Sequence, residues 1–316
     1  MAKPLKTTPI DLSGFNPSVA NKVKRLAIIL SSITRHPFLM SRVCLHGGTA
    51  INLFLLSAPR LSVDIDLNYI GTVDYEEMWD ERPAVEEAVM EIALEQGYAV
   101  TIGKQEHAGM SFKLRYEDQY GADFIKIDLD YLNRSPLLSP EIRQIVLDGQ
   151  VMAAILTNSA IELIGGKLKA LLSRVVPRDL YDICRLAELY PALVSDGDET
   201  LMRRIMIYYS VLSDPFPKPF AVASRFHAKE REVQDILYPM LRDGERPLLA
   251  DMIACAEDFI AITTTPKDAA EEEFVVKAAK AQLDPSLLFD DAPSILQAAL
   301  ADPAAKWKMQ NLAKVV

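Results

Sequence analysis

The chain has 316 residues, half of them hydrophobic and a quarter charged, which is the balance of an ordinary globular protein with room for two domains. Its formal net charge of −10 excludes a general nucleic-acid coat protein, whose affinity comes from Lys and Arg neutralising phosphate, but leaves room for a local basic groove. The three cysteines, Cys44, Cys184 and Cys255, are too scattered for a disulfide framework or a zinc site.

The first 16 residues carry no signal-peptide pattern, and no apolar run reaches the ~20 residues of a membrane span, so a cytoplasmic protein without membrane association is expected. Residues 17–34 read as a helix with Val19, Val23, Leu26, Ile29, Leu30 and Ile33 on one stripe. An apolar run over 41–46 ends at Gly47-Gly48, a strand-to-turn signal, and 49–56 follow as a short helix closed by Ala58-Pro59. From Leu61 to Tyr69 apolar and polar residues alternate, which predicts a half-buried strand with Ser62, Asp64, Asp66 and Asn68 on one face. The same period recurs over 111–116 and 125–131, with a helix over 81–96 between them. The expected product is a twisted sheet with one helix-covered face and one charged face.

Beyond Asn158 the strand signals stop. Helices are expected over 160–176 and 178–190, broken by Pro177, and again over 201–212, 233–241, 247–262 and 269–282. Residues 1–155 therefore read as an α+β domain and 156–316 as a helical one.

Two carboxylates two residues apart on a strand project the same way, with Cα atoms ~6.5–7 Å apart. Asp64 and Asp66 can thus reach one ion or two neighbouring ions, and magnesium prefers such oxygen ligands. Asp128, on a second strand of the same polar face, offers a third acid, although Asp130 shares that face. Uncompensated carboxylates repel one another, so their clustering suggests a divalent cation, magnesium or manganese. The glycines of His46-Gly47-Gly48-Thr49 permit close approach of backbone N–H groups to a phosphate, and Thr49 can equally serve only as a helix cap. Lys167 and Arg174 lie at i and i+7 on one helix face, where their charges suit the outer phosphates of a triphosphate. Asp179 and Asp182 share a face of the next helix, and a salt-bridged helix hairpin is the plain alternative for that group. Lys104, Lys113, Arg115, Lys126 and Arg134 flank the polar sheet face. If they converge on the carboxylates an RNA acceptor is favoured, and if they scatter a small-molecule or protein hydroxyl gains.

In order along the chain stand Gly47-Gly48-Thr49, Arg60-x-Ser62-x-Asp64-x-Asp66, Lys126-x-Asp128, Lys167-Leu168-x-Ala170-Leu171-x-x-Arg174 and Arg178-Asp179-Leu180-Tyr181-Asp182. This series resembles the AbiEii family of nucleotidyltransferases, which includes the MenT-type toxins of type IV toxin–antitoxin systems. The resemblance spans 44–186. It implies a polymerase-β-like nucleotidyltransferase domain with a mixed twisted sheet, followed by a helical C-terminal domain. It implies transfer of a nucleotide from a nucleoside triphosphate, in better understood members onto the 3′ end of tRNA, which blocks translation. Carried over by motif, Gly47, Gly48, Thr49 and Ser62 would line the nucleotide, with Asp64, Asp66 and Asp128 on metal. Lys167 and Arg174 would neutralise phosphate, and Asp179 or Asp182 would support nucleotide or metal. A cognate antitoxin is the implied partner, and a phosphate on Ser62 would place negative charge beside the carboxylates and silence the enzyme. A non-catalytic nucleotide-binding partner protein is the competing class.

Overall fold

The computed structural model describes residues 6–103, 108–195 and 198–315. It divides into two compact units, one of residues 1–135, 139–159 and 240–243, the other of 136–138, 160–239 and 244–316. The main division thus falls at Ser159/Ala160, where the sequence reading placed a single cut near 155.

The first unit is built on an eight-stranded mixed sheet. Its strands are β1 (Lys6–Ile10), β2 (Val43–His46), β3 (Asp64–Tyr69), β4 (Ala99–Ile102), β5 (Gly109–Asp118), β6 (Gly121–Asp130), β7 (Glu141–Leu147) and β8 (Gln150–Thr157), in the order β1-β7-β8-β2-β3-β6-β5-β4. β3 runs parallel to β6 and antiparallel to β2, while β6, β5 and β4 form an antiparallel meander. Helix α1 (Pro17–Arg35) starts where sequence predicts: the Asn16 side chain accepts from the Ser18 N–H at 2.9 Å and Pro17 opens the first turn. Its Val23, Leu26, Ile29, Leu30 and Ile33 are buried, as are Ile65, Leu67, Phe112, Leu114, Ile125, Ile127 and Leu129 from β3, β5 and β6. Helix α3 (Tyr75–Glu95) begins six residues before its predicted start, because Asp74 caps it by accepting from the N–H groups of Glu76 and Glu77.

The sequence reading missed β1, β4, β7 and β8. A signal for the β7–β8 hairpin was present in Asp148-Gly149 between two apolar runs, both residues with positive φ (50° and 76°), the pattern of a tight hairpin turn. The predicted strand over 61–69 begins only at Asp64, so Ser62 lies in the segment before β3 rather than on its face.

The second unit is helical: α4 (Ala160–Ser173), α5 (Pro177–Ser195), α6 (Glu199–Val211), α7 (Val222–Phe226), α8 (Glu230–Glu232), α9 (Leu249–Thr264), α10 (Ala269–Ala279), α11 (Ser286–Phe289), α12 (Pro293–Ala301) and α13 (Pro303–Leu312). Its core includes Tyr208 between Phe274 and Phe289, and a buried Arg203–Glu271 ion pair at 3.0 Å. No helix among the described residues is long and apolar enough to cross a membrane.

Candidate active site

β2 leaves the sheet at His46 and enters the short helix α2 (Gly47–Thr49), which continues as a π-helical turn, Ala50–Leu55. Gly47 has φ +69°, and a Cβ there would stand 2.2 Å from Asp66 Oδ2. Glycine is needed twice over, for the left-handed backbone and for the close approach of the Asp66 carboxylate. A Cβ on Gly48 would stand 2.9 Å from Ser62 Oγ and 3.0 Å from Arg60 Nη2. Thr49 is fully buried and its hydroxyl donates to the Asp64 carbonyl at 2.5 Å. The turn is therefore clamped onto the segment carrying the carboxylates, and the Thr49 side chain braces it instead of facing a ligand.

Strand register then sets the polar face in rows. His46, Asp66, Asp128 and Ser111 stand directly opposite one another on β2, β3, β6 and β5. The next row is Asp64, Lys126 and Lys113, and beyond it Phe124 lies opposite Arg115. Asp64, Asp66 and Asp128 are all half-buried. Asp128 is oriented from both sides: Ser111 donates its hydroxyl to Oδ1 and Lys126 Nζ stands 2.6 Å from Oδ2. Asp128 and Asp130 differ in their partners. Asp130 caps the turn after β6, accepting from the backbone N–H of Leu132 and Asn133 at 2.7 and 3.0 Å and from the Asn133 side chain at 2.5 Å. Asp128 is the acid beside Asp66.

Lys113 and Arg115 are exposed, and Lys113 Nζ lies 5.2 Å from the Phe124 ring centroid. With Lys126 they form a basic strip leading away from the carboxylates along the β5–β6 hairpin. Arg134 does not join it. It is 7% exposed and its guanidinium donates to the carbonyls of Val73 and Tyr131, so it is a brace for the loop before α3. Lys104 lies outside the described residues. Ser62 is 6% exposed beneath the glycine turn, so modification of its hydroxyl requires that turn to open. Sequence reasoning passed over Ser111, whose only signal was its place in the alternation, and gave His46 no role of its own, although it directly precedes the glycine pair.

Two carboxylates completed by phosphate oxygens and water are an ordinary donor set for magnesium, and Asp64 and Asp66 fit it. Among the described residues no group of three or more His, Cys, Asp or Glu is arranged to hold an ion by itself. Asp128 is drawn instead to Lys126.

In the second unit, the sequence-predicted residues Lys167, Arg174, Asp179 and Asp182 come together. Lys167 is 5% exposed, with Nζ 2.8 Å from Asp179 and 2.9 Å from Asp182, both buried. Arg174 approaches Asp179 with Nε at 2.6 Å and Nη2 at 3.0 Å. Burial alone would raise the Asp179 carboxyl, but Lys167 and Arg174 outweigh it and hold it below the usual carboxylate range. The charge of Lys167 is thus shared between two carboxylates at the start of α5, which ties α4 to α5.

The model of the nucleotidyl transferase AbiEii toxin family, type IV toxin–antitoxin system, matches residues 28–278. The fold is similar to that of MenT4, the nucleotidyltransferase toxin Rv2826c from Mycobacterium tuberculosis H37Rv, with 17% identity, a TM-score of 0.56, and 89% of this chain and 92% of that one covered. A looser match is JHP933 from Helicobacter pylori, 14% identical, TM-score 0.41, covering 95% of this chain and 94% of that one. No curated protein matches the chain.

Proposed function

The chain belongs to the AbiEii nucleotidyl transferase toxin family of type IV toxin–antitoxin systems, and from that premise we propose that its acceptor is the 3′ end of tRNA. Family membership brings a nucleoside triphosphate as donor and a cognate antitoxin as partner. The observation that carries the acceptor is the basic strip: Lys126 and Lys113 share the register row of Asp64, and Arg115 stands in the row beyond, on the same sheet face as Asp66 and Asp128. An acidic chain that gathers cations beside its carboxylates is suited to a polyanionic acceptor, since each phosphate contact adds affinity through counterion release. Phe124, 38% exposed beside Arg115, adds a ring face on which a base of the single-stranded terminus can stack.

The residues divide the work as follows. The Gly47-Gly48 turn admits the donor triphosphate close to its backbone N–H groups. Asp64 and Asp66 would hold magnesium or manganese, which when bound supplies charge neutralisation for the triphosphate and the pyrophosphate leaving group. Asp128, fixed by Ser111 and Lys126, takes the proton of the attacking hydroxyl. Attack on the α-phosphate in line with pyrophosphate then transfers the nucleotide.

The test is incubation of the purified protein with total tRNA, magnesium and each labelled triphosphate in turn, beside Asp64→Ala. Label on tRNA with the intact protein alone supports the reading. Pyrophosphate release only when proteins or small molecules are supplied would move the acceptor to another hydroxyl. Nucleotide binding without turnover on any acceptor would make the chain a binding partner.

A further inference from the structure

Helix α3 opens with an aromatic pair set in a run of acids. From Ile70 to Glu81 the chain carries Asp74, Glu76, Glu77, Asp80 and Glu81 and no Lys or Arg. Val73, Tyr75 and Trp79 are 50%, 53% and 41% exposed. The Tyr75 and Trp79 rings, one helical turn apart, stack with centroids 6.1 Å apart and planes at 20°. Isolated exposed apolar residues are ordinary, but three together, two of them stacked aromatics rimmed by charge, mark a contact surface.

The surface is held in place from below. Arg82, 2% exposed, sets its guanidinium 5.2 Å from the Trp79 ring and is itself anchored by Glu86 at 2.7 Å and the Gly109 carbonyl at 3.1 Å. Arg134 donates twice to the Val73 carbonyl, at 3.2 and 3.0 Å, and Asp74 caps the helix. Pre-ordered rings lose little freedom when covered, and Trp and Tyr are the residues that dominate binding energy at protein interfaces. Glu81 is engaged with Arg42 and Tyr69, and Glu77 with Thr72, which leaves Glu76 and Asp80 as the exposed acids flanking the rings.

The charge selects the occupant. Ring faces attract ammonium and guanidinium groups, and the flanking carboxylates strengthen that field. The same carboxylates repel phosphate, which disfavours RNA and anionic membrane. We propose that this face of α3 is a docking surface for a basic segment of a protein partner, an Arg- or Lys-rich stretch that lays its cations over Tyr75 and Trp79 and pairs with Glu76 and Asp80. Val73 supplies the apolar floor for the aliphatic stems of those side chains. Neither ring belongs to the nucleotide-transfer residues, so the surface serves recognition of the enzyme and not its chemistry.

The chain has two tryptophans, Trp79 and Trp307, so in full-length protein carrying Trp307→Phe the emission reports Trp79 alone. That protein is titrated with a short Arg-Ala repeat peptide, a Glu-Ala repeat peptide, single-stranded oligouridine and anionic phosphatidylserine vesicles. The expected result is a saturable change with the Arg-Ala peptide only. Affinity should be weakened about tenfold by Asp80→Lys, with Tyr75→Phe retained as a stacking control. Tyr75→Ala, read by calorimetry, should weaken it as much, and label transfer should be unchanged in all three variants. No saturable change with the basic peptide, undiminished binding in Asp80→Lys and Tyr75→Ala, or equal binding of oligouridine or vesicles would each overturn the proposal. The fluorescence and calorimetric binding readouts do not depend on which acceptor the enzyme uses, so they can fail while the proposed acceptor stands, and the reverse.

Discussion

Lys126 Nζ stands 2.6 Å from Asp128 Oδ2, two residues along the same strand and on the same face. The pair is about one third exposed, 37% for Lys126 and 33% for Asp128, so it is accessible to an incoming acceptor. On the reading proposed here Asp128 takes a proton in the reaction. Asp128→Asn is expected to lower incorporation of label by about 10²- to 10⁴-fold while leaving the circular dichroism spectrum unchanged. Retention of more than a tenth of the activity would remove Asp128 from the reacting set.

Two glycines separate backbone strain from a steric role. Gly47 (φ +69°) and Gly14 (φ +75°) have similar backbones, but a Cβ on Gly47 meets Asp66 and one on Gly14 meets nothing within 4 Å. Alanine at either position should cost about 1–2 kcal/mol in urea denaturation from the left-handed conformation. Only Gly47→Ala should also displace Asp66 and abolish transfer. Equal activity in the two variants would contradict the close packing of the turn on Asp66.

Lys167 compensates two buried carboxylates. Lys167→Met leaves Asp179 and Asp182 without it, and a loss of about 3–5 kcal/mol is expected at neutral pH. The folded pKa of Asp179 is depressed, so the stability it contributes is present above its unfolded value of 3.8 and is lost as pH falls through the folded value. The stability gap between wild type and Asp179→Asn should therefore be widest at neutral pH and begin to shrink only as pH falls below 3.8 and on through the folded value. A gap that does not change with pH would show that the pair contributes packing alone.

Glu162 carries the opposite sign. Burial pushes its carboxyl from 4.5 up to about 7, against the hydrogen bonds it accepts from the Tyr209 hydroxyl at 2.5 Å and the Leu138 N–H at 3.0 Å. The folded chain holds this proton more tightly than the unfolded one, so stability falls as pH rises from 4.5 to about 7 and then levels off. Glu162→Gln should flatten that decline, so that the stability difference between variant and wild type moves in favour of the variant by on the order of 3 kcal/mol between pH 5 and pH 8, read by denaturant titration at both. Parallel pH profiles for the two proteins would refute the assignment.

The basic strip predicts a salt signature. If Lys113 and Arg115 meet RNA phosphates, each alanine substitution should make the dependence of log affinity for tRNA on log salt shallower by about 0.7–0.9. It should weaken binding to different tRNA sequences alike. An unchanged slope in the double variant would place the acceptor elsewhere.

The local elements of the site were legible because they obey local rules. Period-two alternation placed Asp64 and Asp66 on one strand face, the glycine pair announced a turn after β2, and Asn16-Pro17 marked the start of α1. The ordered motifs from Gly47 to Asp182 carried the family, and the match over residues 28–278 bears that out. Other features required the folded chain. Alternation gives Asp128 and Asp130 equal standing, and only the turn after β6, which consumes Asp130, separates them. Ser111 reaches Asp128, and Lys113 and Arg115 fall in line with Lys126, through strand register, a relation between segments that no single segment encodes. Arg134 looked like a surface cation and is a buried brace, because whether a charge meets solvent or a carbonyl depends on which distant backbone arrives beside it.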